Sequence, residues 1–183
     1  MVRLSKFVLH VASAAMLLAV LAGTARAEPV KILAIGASNV TGRGVGAANA
    51  WPAHLDQMLK KKGYDIALTV SAFDGETSST TVSRAPGAIQ PGTKIVLYLL
   101  SRDNDAKAGA SDTTDQNAAR MEGIVRARGA KGIRVNFRDF LGQPAIGNAN
   151  YQADGHHLTA ASHQRLAARL LPMVIKAVGE KKG

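Results

Sequence analysis

The sequence predicts a three-layer α/β/α domain with a short parallel sheet, and three observations carry that expectation. Short apolar runs alternate with longer helical patterns along the chain. The runs are rich in branched residues and closed by Gly, Asp or Ser, as buried strands are. Four polar loops then follow in order where such a sheet places its ligand sites, beyond the carboxyl ends of the strands.

Taken in order, the first element is expected to be absent from the finished protein. Met1 to Ala27 has a basic start (Arg3, Lys6), an apolar stretch from Phe7 to Leu21 and the small-residue sequence Ala25-Arg26-Ala27, the layout of a secretory signal peptide cleaved after Ala27. A membrane anchor is the competing reading. A spanning helix needs about 20 apolar residues, and this stretch is interrupted by His10, Ser13 and Gly23-Thr24. The expectation is a periplasmic or secreted protein with no stable membrane insertion after cleavage.

Glu28 to Gly183 is one domain's worth of chain. Four buried strands are expected at Lys31–Ile35, Ile66–Phe73, Lys94–Leu100 and Gly132–Phe137. Three helices are expected between and after them. Ala50–Lys62 puts Trp51, Leu55, Met58 and Leu59 on one face, Asp115–Arg128 carries Ala119, Ile124 and Val125, and a long amphipathic helix runs from an N-cap at Thr159 to Val178. The stretches Ala106–Thr114 and Leu141–Ala153 read as surface loops.

Composition narrows the chemistry. The chain has no cysteine, so an exported protein of this size holds together by packing and has no thiol chemistry or cysteine metal site. Its formal charge of +10 falls to +7 when the leader takes away three basic residues and no acid. The remaining charges are scattered (Lys60-Lys61-Lys62, Arg126, Arg128, Lys181-Lys182) and aromatic residues for base stacking are few, which argues for a solvated basic surface and against nucleic acid.

The four loops read Gly36-Ala37-Ser38-Asn39, Asp74-Gly75-Glu76-Thr77-Ser78, Ser101-Arg102-Asp103-Asn104-Asp105 and Asp154-Gly155-His156-His157. They supply a serine, a flexible glycine, an asparagine and an Asp-x-x-His pair. A serine nucleophile needs a base, the base an orienting acid, and the developing oxyanion preorganised donors. Each residue also has a plain reading as a cap or turn former. Taken together, on one edge of one expected sheet, they outweigh it.

These stretches resemble the SGNH (GDSL-like) serine hydrolases. Val30–Ser38 (VKILAIGAS) is similar to their first block, and Ala50-Trp51-Pro52-Ala53 to the Trp-Pro helix start of the lysophospholipase/thioesterase branch. Val70–Ser78 (VSAFDGETS) is similar to the second block, Arg102–Asp105 stands where Gly-x-Asn-Asp belongs, and Asp154–His157 matches Asp-x-x-His. The matches run in order from about Val30 to Leu170. Ala37 and Asn39 replace the Asp and Leu that flank the family serine, Arg102-Asp103 replaces the glycine of the third block, and the interval from Asn104 to Asp154 is short, so an element lining the acyl pocket is expected to be trimmed.

The resemblance implies a flavodoxin-like α/β/α fold and an ester hydrolase without cofactor or metal, acting on a small-molecule acyl, acetyl or thioester substrate through an acyl-enzyme. It implies Ser38 as nucleophile, His157 as base, Asp154 as orienter, and an oxyanion hole from the Ser38 and Gly75 N–H groups and the Asn104 amide. The spacing favours His157 over His156, since two intervening residues let Asp and His turn toward one point. His54 and His163 lie in helical patterns and read as surface or capping residues. Three rivals are weaker. A nucleotide-binding loop fails because Gly42-Arg43-Gly44 lacks a third glycine at Ala47. A metal hydrolase lacks a three-ligand cluster. A non-catalytic or weakly active periplasmic binding protein that kept the fold is the alternative the departures around Ser38 leave open.

Overall fold

The computed structural model describes residues 28–179, so the leader expected over residues 1–27 lies outside the described residues. Four strands, β1 (Val30–Gly36), β2 (Ile66–Ala72), β3 (Thr93–Leu99) and β4 (Lys131–Arg134), form one sheet in the order β2-β1-β3-β4. Every neighbouring pair is parallel, with Ile32 opposite Leu68 and Ile95 on its two sides. Among the described residues seven α-helices connect and cover them: α1 (Ser38–Thr41), α2 (Trp51–Lys61), α3 (Ser78–Ala88), α4 (Arg102–Lys107), α5 (Thr113–Ala127), α6 (Arg138–Leu141) and α7 (Ala160–Val178).

The alternation of strand side chains divides the core in two. Ile32, Ala34, Ile95 and Leu97 face α2 and α7, packing against Trp51, Leu55, Leu59, Leu166 and Leu170. Leu33, Ile35, Val96 and Tyr98 face α3 and α5, packing against Val82, Ala85, Met121 and Val125. β1 pairs with β2 on one edge and β3 on the other, and helices cover both of its faces from Ile32 to Gly36, so the strand that leads to Ser38 is held on every side.

Several expectations are corrected. The strand at Ile66–Phe73 is an edge strand, and Val70 and Phe73 are 52% and 61% exposed. Its apolar run reads as buried on both faces, but the strand is the outermost of the sheet, ends at Ala72, and buries only Ile66 fully. The helix α3 was not expected, since its start is Ser- and Thr-rich and it contains Pro86. Thr77 caps it by accepting from the Thr80 N–H at 3.3 Å, and burial of Val82, Ala85 and Ile89 outweighs the poor propensity. In α5 the buried stripe runs through Ala118, Met121 and Val125, leaving Ala119 exposed. The stretch Ala106–Thr114 is a loop only between α4 and α5.

Of the two readings of His163, the surface one fails, because the residue is fully buried, and the capping one holds: its Nδ1 accepts from the Trp51 N–H at 3.2 Å, satisfying a donor that the first turn of α2 leaves without a helical partner. Burial, with smaller contributions from His54 and His157, pushes its pKa down to about 4. The folded protein therefore holds this ring neutral at a pH where the unfolded chain protonates it. The stability this ring contributes is fully present above about pH 6.5 and is lost as pH falls from there to about 4, below which the ring adds no further slope. Urea unfolding followed by the fluorescence of Trp51, the one tryptophan of the chain, should show that slope. His163→Asn, which keeps an acceptor for the Trp51 N–H, should be less stable at pH 7 yet lose less between pH 6.5 and 4; an unchanged slope would assign it to other groups.

Candidate active site

Strand β1 delivers Ser38 to the carboxyl edge of the sheet. A side chain at Gly36 would run into the Leu99 carbonyl of β3 and come within 2.8 Å of Val40, so only glycine lets the strand end lie this close to its neighbour. The chain then turns at the buried Ala37 into α1, whose single turn is closed by Gly42 in the left-handed conformation. Ser38 opens that turn with its N–H free of any acceptor among the described residues.

The fourth loop approaches from the other side. Residues Tyr151 and Leu158 form an antiparallel bridge that closes it. Within it, Asp154 Oδ1 accepts from the backbone N–H groups of His156 and His157 at 2.9 and 3.0 Å. Asp154 Oδ2 lies 2.5 Å from His157 Nδ1, and His157 Nε2 lies 3.0 Å from Ser38 Oγ. Gly155 makes the tight turn possible: its φ is +71°, and a Cβ there would press on the Ile146 backbone nitrogen at 2.6 Å. Partial burial would raise the Asp154 pKa, but the hydrogen bonds from the His157 backbone and ring and from the His156 backbone outweigh it and hold the carboxyl well below the usual carboxylate range. The ionised carboxylate keeps the proton on Nδ1, which leaves Nε2 as an acceptor for the serine hydroxyl. His156 is turned away, with Nδ1 3.9 Å from Asp103 Oδ2.

Between these loops stands the Gly75 loop. Gly75 has φ +78° with open space around it, and its N–H meets no acceptor among the described residues. Asn104, held on α4 by the Ser101 cap, donates from Nδ2 to the Glu76 carbonyl at 2.8 Å, which leaves the second Nδ2 hydrogen uncommitted. Buried Asp105 accepts from the Ser78 N–H at 2.7 Å and from Thr114, pinning the far end of the same loop. Ser38, Gly75, Asn104 and His157 share one cleft of about 400 Å³ with Thr77 and Lys107.

The residues at the departures have definite partners. Asn39 joins the serine turn to the histidine loop: its Oδ1 accepts from the Leu158 N–H at 2.9 Å and its Nδ2 donates to the His156 carbonyl at 3.2 Å. Asp103 pairs with Arg138 at 2.9 Å, and Arg102 pairs with Asp115 at 2.7 Å. Between β4 and Asp154 the only helix is α6, four residues long. A separate apolar groove, also about 400 Å³, runs between α2 and the edge strand and is lined by Val40, Ala50, Pro52, Leu68 and Val70. Among the described residues no cluster of three His, Asp or Glu side chains is placed to hold a metal, and no helix is long and apolar enough to cross a membrane.

A hydroxyl, an imidazole and a carboxylate in line, facing free N–H groups across a cleft, can deliver an alkoxide to an electrophile and stabilise the anion that results. No family model matches the chain. Its solved structural neighbours are esterases and lipases of the GDSL type. The crystal structure of TesA superposes with a TM-score of 0.71 and 22% identity, covering 80% of this chain and 99% of TesA. A lipolytic protein of the G-D-S-L family from Desulfitobacterium hafniense has a TM-score of 0.64 at 14% identity, covering 78% and 98% of the two chains. The psychrotrophic esterase EstA from Pseudoalteromonas sp., inhibited by monoethylphosphonate, has a TM-score of 0.59 at 16% identity, covering 82% and 99%. In sequence, an arylesterase from Vibrio mimicus is 22% identical over 109 residues, 59% of this chain and 54% of that protein. The chain thus spans about half the length of the arylesterase it matches, and it has the fold of the GDSL-type hydrolases.

Proposed function

We propose that this protein is an exported serine esterase that hydrolyses small-molecule carboxylic esters or thioesters through an acyl-enzyme, with Ser38 as nucleophile, His157 as general base and acid, and Asp154 as orienter. The observation that carries the reading is the continuous line from Asp154 Oδ2 through His157 to Ser38 Oγ, with separations of 2.5 and 3.0 Å. In the first half-reaction Ser38 Oγ bonds to the acyl carbon while its proton passes to His157 Nε2. The carbonyl oxygen becomes an oxyanion facing the Ser38 and Gly75 N–H groups and the Asn104 amide. Collapse breaks the bond to the alcohol or thiol, which leaves with the proton from Nε2. A water then repeats the sequence on the acyl-serine, giving the carboxylic acid and restoring Ser38.

Export rests on the Met1–Ala27 leader pattern, and a protein without cysteine suits either the periplasm or the medium. The polar cleft wall at Thr77, Asn104 and Lys107 favours short acyl groups over long ones. The direct test is labelling with a phosphonate ester, since EstA was captured inhibited by monoethylphosphonate. The protein should gain one phosphonyl group, found by mass spectrometry on the peptide containing Ser38, and lose hydrolysis of p-nitrophenyl acetate in step. Label elsewhere with Ser38 unmodified, or equal labelling of Ser38→Ala, would remove Ser38 as nucleophile.

A further inference from the structure

We infer that Glu76 and Arg84 form a positioning clamp that sets the oxyanion donors relative to Ser38, an inference that rests on the esterase reading above. Glu76 is the common anchor of two of the three donors. It is peptide-bonded to Gly75, and its own carbonyl accepts the Asn104 amide at 2.8 Å. Where Glu76 goes, the Gly75 N–H and the Asn104 Nδ2 go with it.

Glu76 itself is held by its side chain, which is 7% exposed. The Arg84 guanidinium, from the middle of α3, forks onto that carboxylate, with Nε donating to Oε1 and Nη2 to Oε2. The same guanidinium plane donates from Nη1 to Ser71 Oγ at 2.6 Å and from Nη2 to the Ser71 carbonyl at 3.0 Å on β2. It also reaches the Gly36 carbonyl at 3.2 Å, two residues before Ser38. Thr81 adds a hydroxyl to Glu76 Oε2 at 3.1 Å, and the Phe73 ring covers the guanidinium with its centroid 4.8 Å away. One rigid group therefore touches the end of the nucleophile strand, the edge strand and the residue that carries the oxyanion loop.

The chemistry of the pair argues for geometry over stability. A largely desolvated ion pair gains little over apolar replacements, because removing both charges from water costs about what their attraction returns. What an apolar pair cannot supply is direction. A guanidinium has five donors in a fixed plane and meets all these acceptors at once, with one Nη2 hydrogen shared between two of them, whereas a lysine ammonium is a single point on a flexible stem. A shift of the loop by about 1 Å is enough to cost about a hundredfold in rate when it moves groups aimed at the reacting atoms.

The experiment compares Arg84→Lys and Glu76→Asp with wild type and with Leu170→Ala, which empties core space in α7 on the other face of the sheet. Glu76→Asp keeps both charges but shortens the carboxylate arm, so the pair closes only if the loop moves. Both clamp variants should lower kcat for p-nitrophenyl acetate about a hundredfold with KM little changed, and phenylboronic acid, which forms a tetrahedral adduct on a catalytic serine, should bind more weakly by a similar factor. Leu170→Ala should lose Tm and keep kcat. Clamp variants that behave like Leu170→Ala, or that lose kcat with boronate affinity intact, overturn the clamp. Should Arg84→Lys not fold, Glu76→Asp decides alone. A wild-type protein with neither ester turnover nor boronate binding overturns the esterase reading instead, before any variant is compared.

Discussion

Ser38→Ala and His157→Ala should each slow ester turnover about a thousandfold or more, and the double variant should be scarcely slower than either single one. The reason lies in the one hydrogen bond that joins them, 3.0 Å between Ser38 Oγ and His157 Nε2. A serine without its base is a poor nucleophile, and a base without its serine has nothing to activate, so each substitution removes the same unit. The rate that remains comes from the free Ser38 and Gly75 N–H groups and the Asn104 amide, which none of these changes deletes. Folding should be nearly unaffected, because both side chains lie at the cleft and neither belongs to the two core clusters. His156→Ala is the control: its ring faces Asp103 at 3.9 Å, so it should keep most of the rate. Additive losses in the double variant, or a rate abolished by His156→Ala and kept by His157→Ala, would show that the base has been misassigned.

The fold was legible wherever burial on both faces writes a simple pattern. The runs containing Ile32–Ile35 and Ile95–Leu99 are apolar at every position because helices cover both sides of the sheet, and the sequence carries that as an unbroken apolar string. The same string in Ile66–Ala72 misleads, since nothing in one strand's own residues says whether it has one neighbour or two. Helix α3 was hidden by its Ser and Thr residues and by Pro86, although Val82, Ala85 and Ile89 recur at helical spacing and Thr77 stands at the cap position. There, packing against Leu33, Ile35 and Tyr98 decides the conformation and local propensity does not.

At the site, the spacing of Asp154 and His157 within one loop is a local signal, and so is a serine directly after an apolar strand. The groups that hold these loops to one another are not local. Asn39 and Leu158 are brought together across 119 residues, and Asp105 and Ser78 across 27. Nothing in the composition of either segment announces its partner. Asn39, read from the sequence as a departure from the family pattern, bonds to the loop that carries the histidine. His163 carried no sequence mark of burial either, because a histidine that accepts a hydrogen bond from a neighbouring helix looks the same in sequence as one on a solvated face.

Asp154→Asn should be as damaging as loss of the serine, about a thousandfold to ten-thousandfold in turnover, even though it changes one oxygen to a nitrogen. The loop gives the reason. Oδ1 of residue 154 accepts two backbone N–H groups, from His156 and His157, and an asparagine carbonyl can keep both. That leaves the asparagine NH₂ facing His157 Nδ1, where Asp154 now places Oδ2 at 2.5 Å. An NH₂ there donates, so Nδ1 must become the acceptor and the ring proton moves to Nε2. A protonated Nε2 points a donor at Ser38 Oγ and has no lone pair to receive the serine proton. The site is then correctly shaped and wrongly protonated, which predicts a specific pattern: KM and thermal stability close to wild type, with kcat lost. Asp154→Ala should differ, because the loop forfeits its two backbone contacts and Tm falls as well. Since Asp154 is 46% exposed, water can fill the space an alanine leaves and accept from Nδ1, so Asp154→Ala should retain more rate than Asp154→Asn. If Asp154→Asn kept wild-type turnover, the carboxylate would hold only the loop and not the tautomer, and the base at Ser38 would need another orienter.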